Sequence, residues 1–241
     1  MSPSVFIGYD AGERLAWEVC AASLQNSARD PVPVAPIGRA DLAARGLYTR
    51  PTSVRDGIKW DDLSNEPCST DFSLARFWLP LVAERSGWAL FCDSDFLWRR
   101  DVHELFALAD PRYAVMVVPH QQNVVETVKM RGQPQTEYER KNWTSLMLWN
   151  LSHAGARRVS VGMLNQSLKR DLHQLLWLAD NEIGFLPEEW NWLDGTSAPD
   201  LEAAAAHFTR GTPDMPNWID TQYAGEWRSY ADALGERARQ R

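Results

Sequence analysis

Short apolar runs alternate with amphipathic stretches through residues 1–40. Residues 5–9 are mostly apolar and predict a strand that ends at Asp10. From about Glu13 to Ser27 apolar residues recur at helical spacing, and residues 31–37 predict a second strand whose prolines favour a sheet edge. This β-α-β order favours a parallel sheet.

Polar and turn-forming residues fill the stretch 46–67, which predicts a long surface loop. Helical spacing of apolar residues resumes over 71–85, although Pro80 predicts a kink or an end at Leu79. Arg76 lies off the apolar stripe of this helix. It is either a solvated arginine on the polar face or a functional residue that binds phosphate or a sugar hydroxyl.

The same two periodicities continue along the rest of the chain. Strands are predicted over 88–92, 113–118, 144–149 and 183–186, and helices over 102–108, 155–165, 168–178 and 225–239. Residues 121–142 are polar and carry few helix or strand signals, which is typical of a binding loop, a lid or a disordered segment. No repeat or linker divides the chain, so we expect one α/β domain over 1–241, with a mostly parallel central sheet flanked by helices.

Composition narrows the classes of partner. The formal net charge is −7 without a basic stripe, so nucleic acid is not an expected partner. No apolar stretch approaches a transmembrane segment and no signal sequence is evident, so we expect a soluble, cytoplasmic protein. Three cysteines (Cys20, Cys68 and Cys92) without metal-ligand spacing fit a reducing compartment. The 12 tryptophans suggest rings that stack on sugars, but packing in the core is favoured at most of these positions.

The strongest chemical signal is Asp93-Ser94-Asp95, directly after the apolar run 88–92. Side chains alternate along an extended chain, so the two carboxylates point the same way and repel each other unless a cation lies between them. Mg²⁺ or Mn²⁺ is the simplest such cation, and ligands of open α/β sheets bind at the carboxyl ends of strands. A solvated turn or a helix cap is the alternative, which the aromatic residues at 96–98 disfavour.

Further segments occur in the order found in one known family. They are the strand that ends at Asp10, and the segments 69–77, 101–106, 180–183, 186–191 and 207–211. Together with Asp93-Ser94-Asp95 they resemble nucleotide-sugar glycosyltransferases of the GT-A fold. The resemblance is greatest to family 8, the group of glycogenin and the bacterial lipopolysaccharide galactosyltransferases. The resemblance spans most of the chain, and its main support is that the matches occur in the same order as in the family.

The resemblance implies a metal-dependent hexosyltransferase. Such an enzyme moves a sugar from a nucleoside-diphosphate sugar, here most simply a UDP-sugar, to a carbohydrate or other hydroxyl acceptor, with retention of configuration. It also implies that Asp93, Asp95 and His207 hold Mn²⁺ or Mg²⁺, and Mn²⁺ accepts a nitrogen ligand readily. A purely structural histidine is the alternative for His207.

The resemblance further implies a set of donor contacts: Tyr9, Asp10, Arg76, Arg210 and Gly211. Tyr9 and Asp10 are expected at the nucleoside, with a helix cap as the alternative for Asp10. The family's last motif carries a lysine that contacts the diphosphate, and residues 212–218 of this chain contain none. Either Arg210 supplies that charge or diphosphate binding is weaker.

Asp180 and Asn181 are the candidates near the reacting carbon by the same resemblance. Asn181 stands where the family has a glutamine, and an N-cap is the alternative for Asp180. Front-face transfer assisted by the departing phosphate and a transient covalent step both fit retention at such a site. Neither needs the spaced carboxylate pair of a glycoside hydrolase.

The long polar loop is expected to form the acceptor side or a lid, and Lys129, Gln135, Lys141 and Trp143 lie in or beside it. His120, at the end of a predicted strand, is placed in the same cleft. Two other functions stay open. One is a nucleotidyltransferase acting on sugar phosphates, disfavoured because residues 5–12 contain two glycines and no lysine. The other is a degenerate member that binds carbohydrate or nucleotide without turnover.

Overall fold

A computed structural model of the chain describes residues 4–84, 86–120, 140 and 143–239. Its strands are β1 (Ser4–Gly8), β2 (Val34–Ile37), β3 (Thr52–Arg55), β4 (Ile58–Asp61), β5 (Glu66–Cys68), β6 (Trp88–Cys92), β7 (Phe96–Trp98), β8 (Val115–Val117), β9 (Leu146–Asn150), β10 (Ile183–Phe185), β11 (Trp192–Leu193) and β12 (Ala205–His207). Its helices are α1 (Arg14–Ser27), α2 (Arg39–Ala44), α3 (Phe72–Ala75), α4 (Leu79–Val82), α5 (Val102–Ala107), α6 (Ala154–Arg157), α7 (Val161–Gln166), α8 (Lys169–His173) and α9 (Ala224–Arg239).

A six-stranded sheet in the order β10-β8-β9-β6-β1-β2 forms the centre of the molecule. Strand β9 runs antiparallel to β6 and β8, and the other neighbouring pairs are parallel. The predicted α/β class with a mostly parallel sheet is therefore confirmed. Strand β2 lies at the edge, as its prolines predicted. The carboxyl ends of β1, β6 and β8 consequently lie along one edge of the sheet.

Helices cover both faces of this sheet, which explains why its strands are near-continuous apolar runs. Phe91 and Trp149 pack on one face, and Leu90 and Leu148 pack on the other. The largest fully buried side chains include six tryptophans: Trp78, Trp98, Trp149, Trp190, Trp192 and Trp227. At these positions the rings pack in the core, as the composition argument favoured.

A second sheet, in the order β11-β12-β7, lies beside the end of β6. Strand β7 begins directly after Asp95, and its antiparallel register with β12 places Phe96 opposite His207. Two residues more than a hundred positions apart in sequence thus become neighbours through one short ladder. This sheet is what brings the histidine to the Asp-Ser-Asp turn.

The predicted surface loop at 46–67 is wrong, because a third, antiparallel sheet β3-β4-β5 occupies it. Asp56 and Gly57 both have positive φ (50° and 78°) and form the hairpin turn between β3 and β4. The buried side chains of Arg50 and Asp61 pair at 2.6 Å, and Arg50 Nη1 also donates to the carbonyl of Leu164 at 2.6 Å. The polar residues of this segment therefore build structure through contacts to distant parts of the chain.

The predicted helix over 71–85 is broken into α3, a 3-10 turn over Arg76–Trp78, and α4, with Pro80 in the first turn of α4. The predicted helices 155–165 and 168–178 are likewise shorter, as α6, α7 and α8. Lys129, Gln135 and Lys141 lie outside the described residues. Within the described part of the chain, no helix is both long and apolar enough to traverse a lipid bilayer.

Candidate active site

The turn after β6 holds two carboxylates at the edge of the central sheet. Backbone hydrogen bonds fix it on both sides: Asp93 N donates to Ser145 O (2.9 Å), and Phe208 N donates to Asp95 O (3.0 Å). The first bond ties the turn to the segment before β9, and the second ties it to the end of β12. Both aspartates are therefore held by elements that meet only in the folded chain.

His207 completes a cluster of three potential metal ligands. Its Nε2 lies 3.2 Å from Asp95 Oδ1, and one ligand atom from each of Asp93, Asp95 and His207 lies within 4.8 Å of the others. The imidazole is buried and stacks on Phe96, with ring centroids 4.3 Å apart. The structure thus brings together the three residues that the sequence assigned to the metal.

Asn191 fixes the orientation of this imidazole. Its side-chain oxygen lies 2.8 Å from His207 Nδ1, and its amide nitrogen donates to Ser145 Oγ at 2.9 Å. Asn191 is fully buried, so both ends of its amide are committed. Accepting a hydrogen bond from Nδ1–H leaves the Nε2 lone pair directed at Asp95, which is the tautomer a metal ligand requires. The family resemblance assigned no role to Asn191, although the matched segment 186–191 contains it.

The chemistry of this cluster fits a divalent cation. Asp93 Oδ1 and Asp95 Oδ1 are buried and make no hydrogen bond of good geometry with the described residues. Burial raises the pKa of Asp93 to about 6; the charge of Asp95 adds to this rise, while Arg76 and His207 oppose it. Two carboxylate oxygens and one imidazole nitrogen form a donor set that Mn²⁺ accepts. A bound cation would relieve the repulsion between the carboxylates.

Arg76 lies in the site and not on a solvated helix face. Its side chain is buried, and Nη1 lies 3.0 Å from Asp93 Oδ1 and donates to the carbonyl of Thr144 at 2.8 Å. The Thr144 hydroxyl in turn lies 2.8 Å from Nδ1 of His173, at the end of α8. The Arg76 guanidinium thus places a positive charge next to the Asp93-Ser94-Asp95 turn.

Glu13 is a further residue of the site, and its only signal in the sequence is the start of a predicted helix. Ser94 Oγ donates to Glu13 Oε2 at 2.9 Å. Burial and the nearby charge of Asp95 raise the pKa of Glu13 to about 7. Glu13 and Asp95 line one pocket together with Thr212 and Met215. The side of the site toward α1 is therefore acidic.

Asp10 caps the turn that precedes α1, which was the alternative to a contact with the nucleoside. Its Oδ1 accepts from Gly12 N (2.8 Å), and its Oδ2 accepts from Lys59 Nζ (2.6 Å) and Asp71 N (2.9 Å). Burial acts to raise the pKa of Asp10, but Lys59 and the two amides hold it below its usual value. Tyr9 meets Trp17 edge to face, with ring centroids 6.0 Å apart.

Arg210 is paired with Asp194, at 2.7 Å from its Nη2 and 3.1 Å from its Nε. Its guanidinium also lies 4.6 Å from the ring centroid of Trp218. Gly211 has φ +152°, and a Cβ there would come 2.1 Å from the Trp218 ring. The turn at Arg210 and Gly211 is therefore packed against Trp218. The positive charge of Arg210, which was expected to replace the missing lysine, is paired with Asp194.

The structure does not bring Asp180 and Asn181 to the cluster. They form a 3-10 turn before β10, whose register aligns Ile183 with Val115, and through Trp149 with Ala89 at the start of β6. Ala89 precedes Asp93 by roughly 13 Å of strand. The Asp180 side chain is 91% exposed and pairs with Arg140. The catalytic role of Asp180 and Asn181 stays a prediction from the family resemblance.

Comparisons with known proteins define the class of the fold. No family model matches the chain. The galactosyltransferase LgtC, solved with donor and acceptor sugar analogs, aligns over 95% of both chains with a TM-score of 0.59 and 16% identity. The glycosyltransferase GlyE of Streptococcus pneumoniae aligns over 96% of this chain and 60% of its own, with a TM-score of 0.59 and 12% identity. The fold is that of GT-A glycosyltransferases, and the resemblance to family 8 is confirmed at this level.

The mouse xyloside xylosyltransferase 1 shares the same fold, with a TM-score of 0.51 and 12% identity over 90% of this chain and 99% of that one. A much nearer relative is Protein CDI of Arabidopsis thaliana, which is 38% identical over 228 residues, or 92% of this chain and 83% of that protein. The chain belongs to the family of Protein CDI.

Proposed function

We propose that this protein is a metal-dependent glycosyltransferase that moves a sugar from a UDP-sugar to a hydroxyl acceptor with retention of configuration. One observation carries the proposal: Asp93, Asp95 and His207 place their ligand atoms within 4.8 Å of one another, at the carboxyl edge of a GT-A sheet. Ligands of open α/β sheets bind at that edge. Residues 1–241 act as one domain in this proposal.

Each residue of the cluster has a defined task in this reaction. Asp93, Asp95 and His207 hold Mn²⁺ or Mg²⁺, with Asn191 orienting the histidine. When bound, the cation supplies Lewis-acid stabilisation of the diphosphate that leaves the sugar. Arg76 lies beside Asp93 and supplies the protein's own positive charge to the same phosphates. Its position compensates in part for the missing lysine, since Arg210 is committed to Asp194.

The remaining donor and acceptor contacts belong to the proposal as well. Tyr9, beside the Asp10 cap, contacts the nucleoside, and Gly211 allows the backbone to approach the phosphates closely. A carbohydrate is the acceptor class that the family resemblance favours. Trp143, which precedes the Thr144 carbonyl held by Arg76, lies on the acceptor side.

Calorimetric titration with UDP and with GDP, each in Mn²⁺ and in EDTA, tests the proposal. We expect one of the two nucleotides to bind in Mn²⁺ and not in EDTA. That result supports a metal-dependent donor site and names its base, and a panel of nucleotide sugars then identifies the transferred sugar. If neither nucleotide binds in Mn²⁺, the proposed donor site is wrong.

A second candidate is a member of the fold that binds a nucleotide sugar without transferring it. The pairing of Arg210 with Asp194, together with the acidic wall formed by Glu13, favours it, because both reduce the positive charge available to a diphosphate. Donor hydrolysis separates the two candidates. Slow, Mn²⁺-dependent release of UDP from a UDP-sugar supports the transferase, whereas tight binding with no release over days supports the second candidate.

A further inference from the structure

His120 carries a buried polar atom that the roles assigned above leave unused. Its Nε2 is buried and has no hydrogen-bond partner among the described residues. A ring nitrogen of histidine is always a hydrogen-bond donor or acceptor, and leaving it buried and unsatisfied is unfavourable. Such a group in a native structure calls for an explanation, and a ligand is one that its position supports.

The sheet register places His120 at the level of the acidic turn. Val117 of β8 pairs with Met147 of β9, which pairs with Phe91 of β6. His120 follows Val117 by three residues, and Asp93 and Asp95 follow Phe91 by two and four, so both segments leave the sheet at the same level. The carbonyl of Thr144 accepts from Arg76, which lies 3.0 Å from Asp93. His120 and the metal ligands therefore stand at the same edge of the sheet, separated by one strand.

The spacing of the strands sets the distance between His120 and the metal cluster. Neighbouring strands lie about 4.8 Å apart, so β8 and β6 are about 10 Å apart across β9. A donor whose diphosphate is held at the Asp93–Asp95–His207 cluster projects its sugar away from the phosphates. The strand spacing matches the position of a sugar ring that lies between that cluster and His120.

The charge state of His120 suits a sugar hydroxyl. Burial lowers the pKa of His120 to about 4, and the nearby imidazole of His207 acts in the same direction. The imidazole is therefore neutral at pH 7. A neutral imidazole forms a hydrogen bond with a hydroxyl group in either direction and adds no positive charge that would compete with the metal for the diphosphate.

We propose that His120 is a specificity-determining residue whose Nε2 forms a hydrogen bond with a hydroxyl group of the transferred sugar. This inference rests on the proposed function and deepens it, since it assigns the recognition of the sugar to a residue outside the metal cluster. It also requires the protein to distinguish sugars that differ at that hydroxyl.

Calorimetry with UDP, UDP-glucose and UDP-galactose in Mn²⁺ tests the inference on three proteins: the native chain, His120→Asn and His120→Gln. The amide of glutamine reaches about as far as Nε2, whereas that of asparagine reaches only the position of Nδ1. We expect His120→Asn to weaken binding of the preferred UDP-sugar about tenfold and to leave UDP unchanged. His120→Gln should retain sugar binding within about threefold and serves as the matched control.

Several outcomes overturn the inference. Equal affinity of the native chain and His120→Asn for the preferred UDP-sugar does so, as does an equal loss for UDP and UDP-sugar, which indicates a structural role. A turnover rate that falls while UDP-sugar binding is unchanged moves His120 to the acceptor side and also overturns it. His120→Leu replaces the asparagine variant if that variant fails to fold. Absence of UDP binding to the native chain, in contrast, marks failure of the proposed function itself.

Discussion

Two acidic sites lie at the carboxyl ends of neighbouring strands, and they differ in how their oxygens are satisfied. At the end of β1, Asp10 is buried, but a lysine and two backbone amides occupy its carboxylate. At the end of β6, Asp93 and Asp95 each keep a buried oxygen without a good hydrogen bond to the described residues. The pKa of Asp10 is lowered and that of Asp93 is raised. Burial alone therefore does not distinguish the two sites; the partners of their carboxylate oxygens do.

Asp95→Ala tests the unsatisfied site and should have the largest effect. The substitution removes one of two carboxylate ligands, so we expect Mn²⁺-dependent UDP binding to fall at least ~100-fold, which is ~2.7 kcal/mol of binding free energy. Calorimetry in Mn²⁺ and in EDTA measures it. The melting temperature in EDTA should not fall, because the change relieves repulsion with Asp93. Unchanged UDP binding would show that the cluster holds no metal.

Asn191→Ala tests the support of the metal site. Removing the acceptor for His207 Nδ1–H frees the imidazole to change tautomer and orientation. We expect Mn²⁺ affinity to fall by about 10–100-fold, which is the usual cost of losing such a partner. Competition with a fluorescent metal indicator measures this affinity directly. If Mn²⁺ binds to the variant as tightly as to the native chain, Asn191 is only a packing residue.

Asp10→Asn tests the satisfied site. The amide cannot accept from Lys59 and both backbone amides at once, so we expect the free energy of unfolding to fall by about 1–3 kcal/mol. Urea denaturation in EDTA measures the loss. A variant that keeps its stability but loses UDP binding would overturn this interpretation. It would return Asp10 to the nucleoside contact that the family resemblance implies.

Asp180→Ala should have the smallest effect of the series. Its side chain is 91% exposed. Asp180 lies in the 3-10 turn before β10, at the edge of the sheet opposite the Asp93–Asp95–His207 cluster. We expect donor binding and turnover to change less than about twofold, and stability to change by less than about 0.5 kcal/mol. Steady-state kinetics of UDP release provides the measurement. A loss of turnover near that of Asp95→Ala would restore the catalytic assignment made from the sequence.

Local patterns predicted most of the central sheet, because its strands are buried apolar runs between clear breaks. The Asp-Ser-Asp turn was also predicted, from the apolar strand that precedes it. His207 was predicted from the order in which the family's motifs occur along the chain. The pattern could not reveal that Arg76 is buried or that Asp180 lies far from the turn. Both facts depend on strand register and on chain segments that meet only in the fold.

The error at 46–67 has a different physical origin. Strands β3 and β4 carry polar residues that face solvent or one another, so they lack the apolar alternation of a half-buried strand. The Asp56-Gly57 pair is a strong hairpin signal that was available in the sequence. No local pattern, however, predicts the distant contacts of Arg50, because its buried guanidinium donates to the carbonyls of Leu164 and Ser167.

The buried contacts of Arg50 also have a consequence for synthesis of the chain. Arg50 and Leu164 are separated by 114 positions, which a ribosome translates in roughly 6–23 s. During that interval the hairpin sheet and Asp61 are complete, but the carbonyls that cover the guanidinium do not yet exist. The guanidinium of Arg50 therefore cannot complete its buried contacts until α7 has been synthesised.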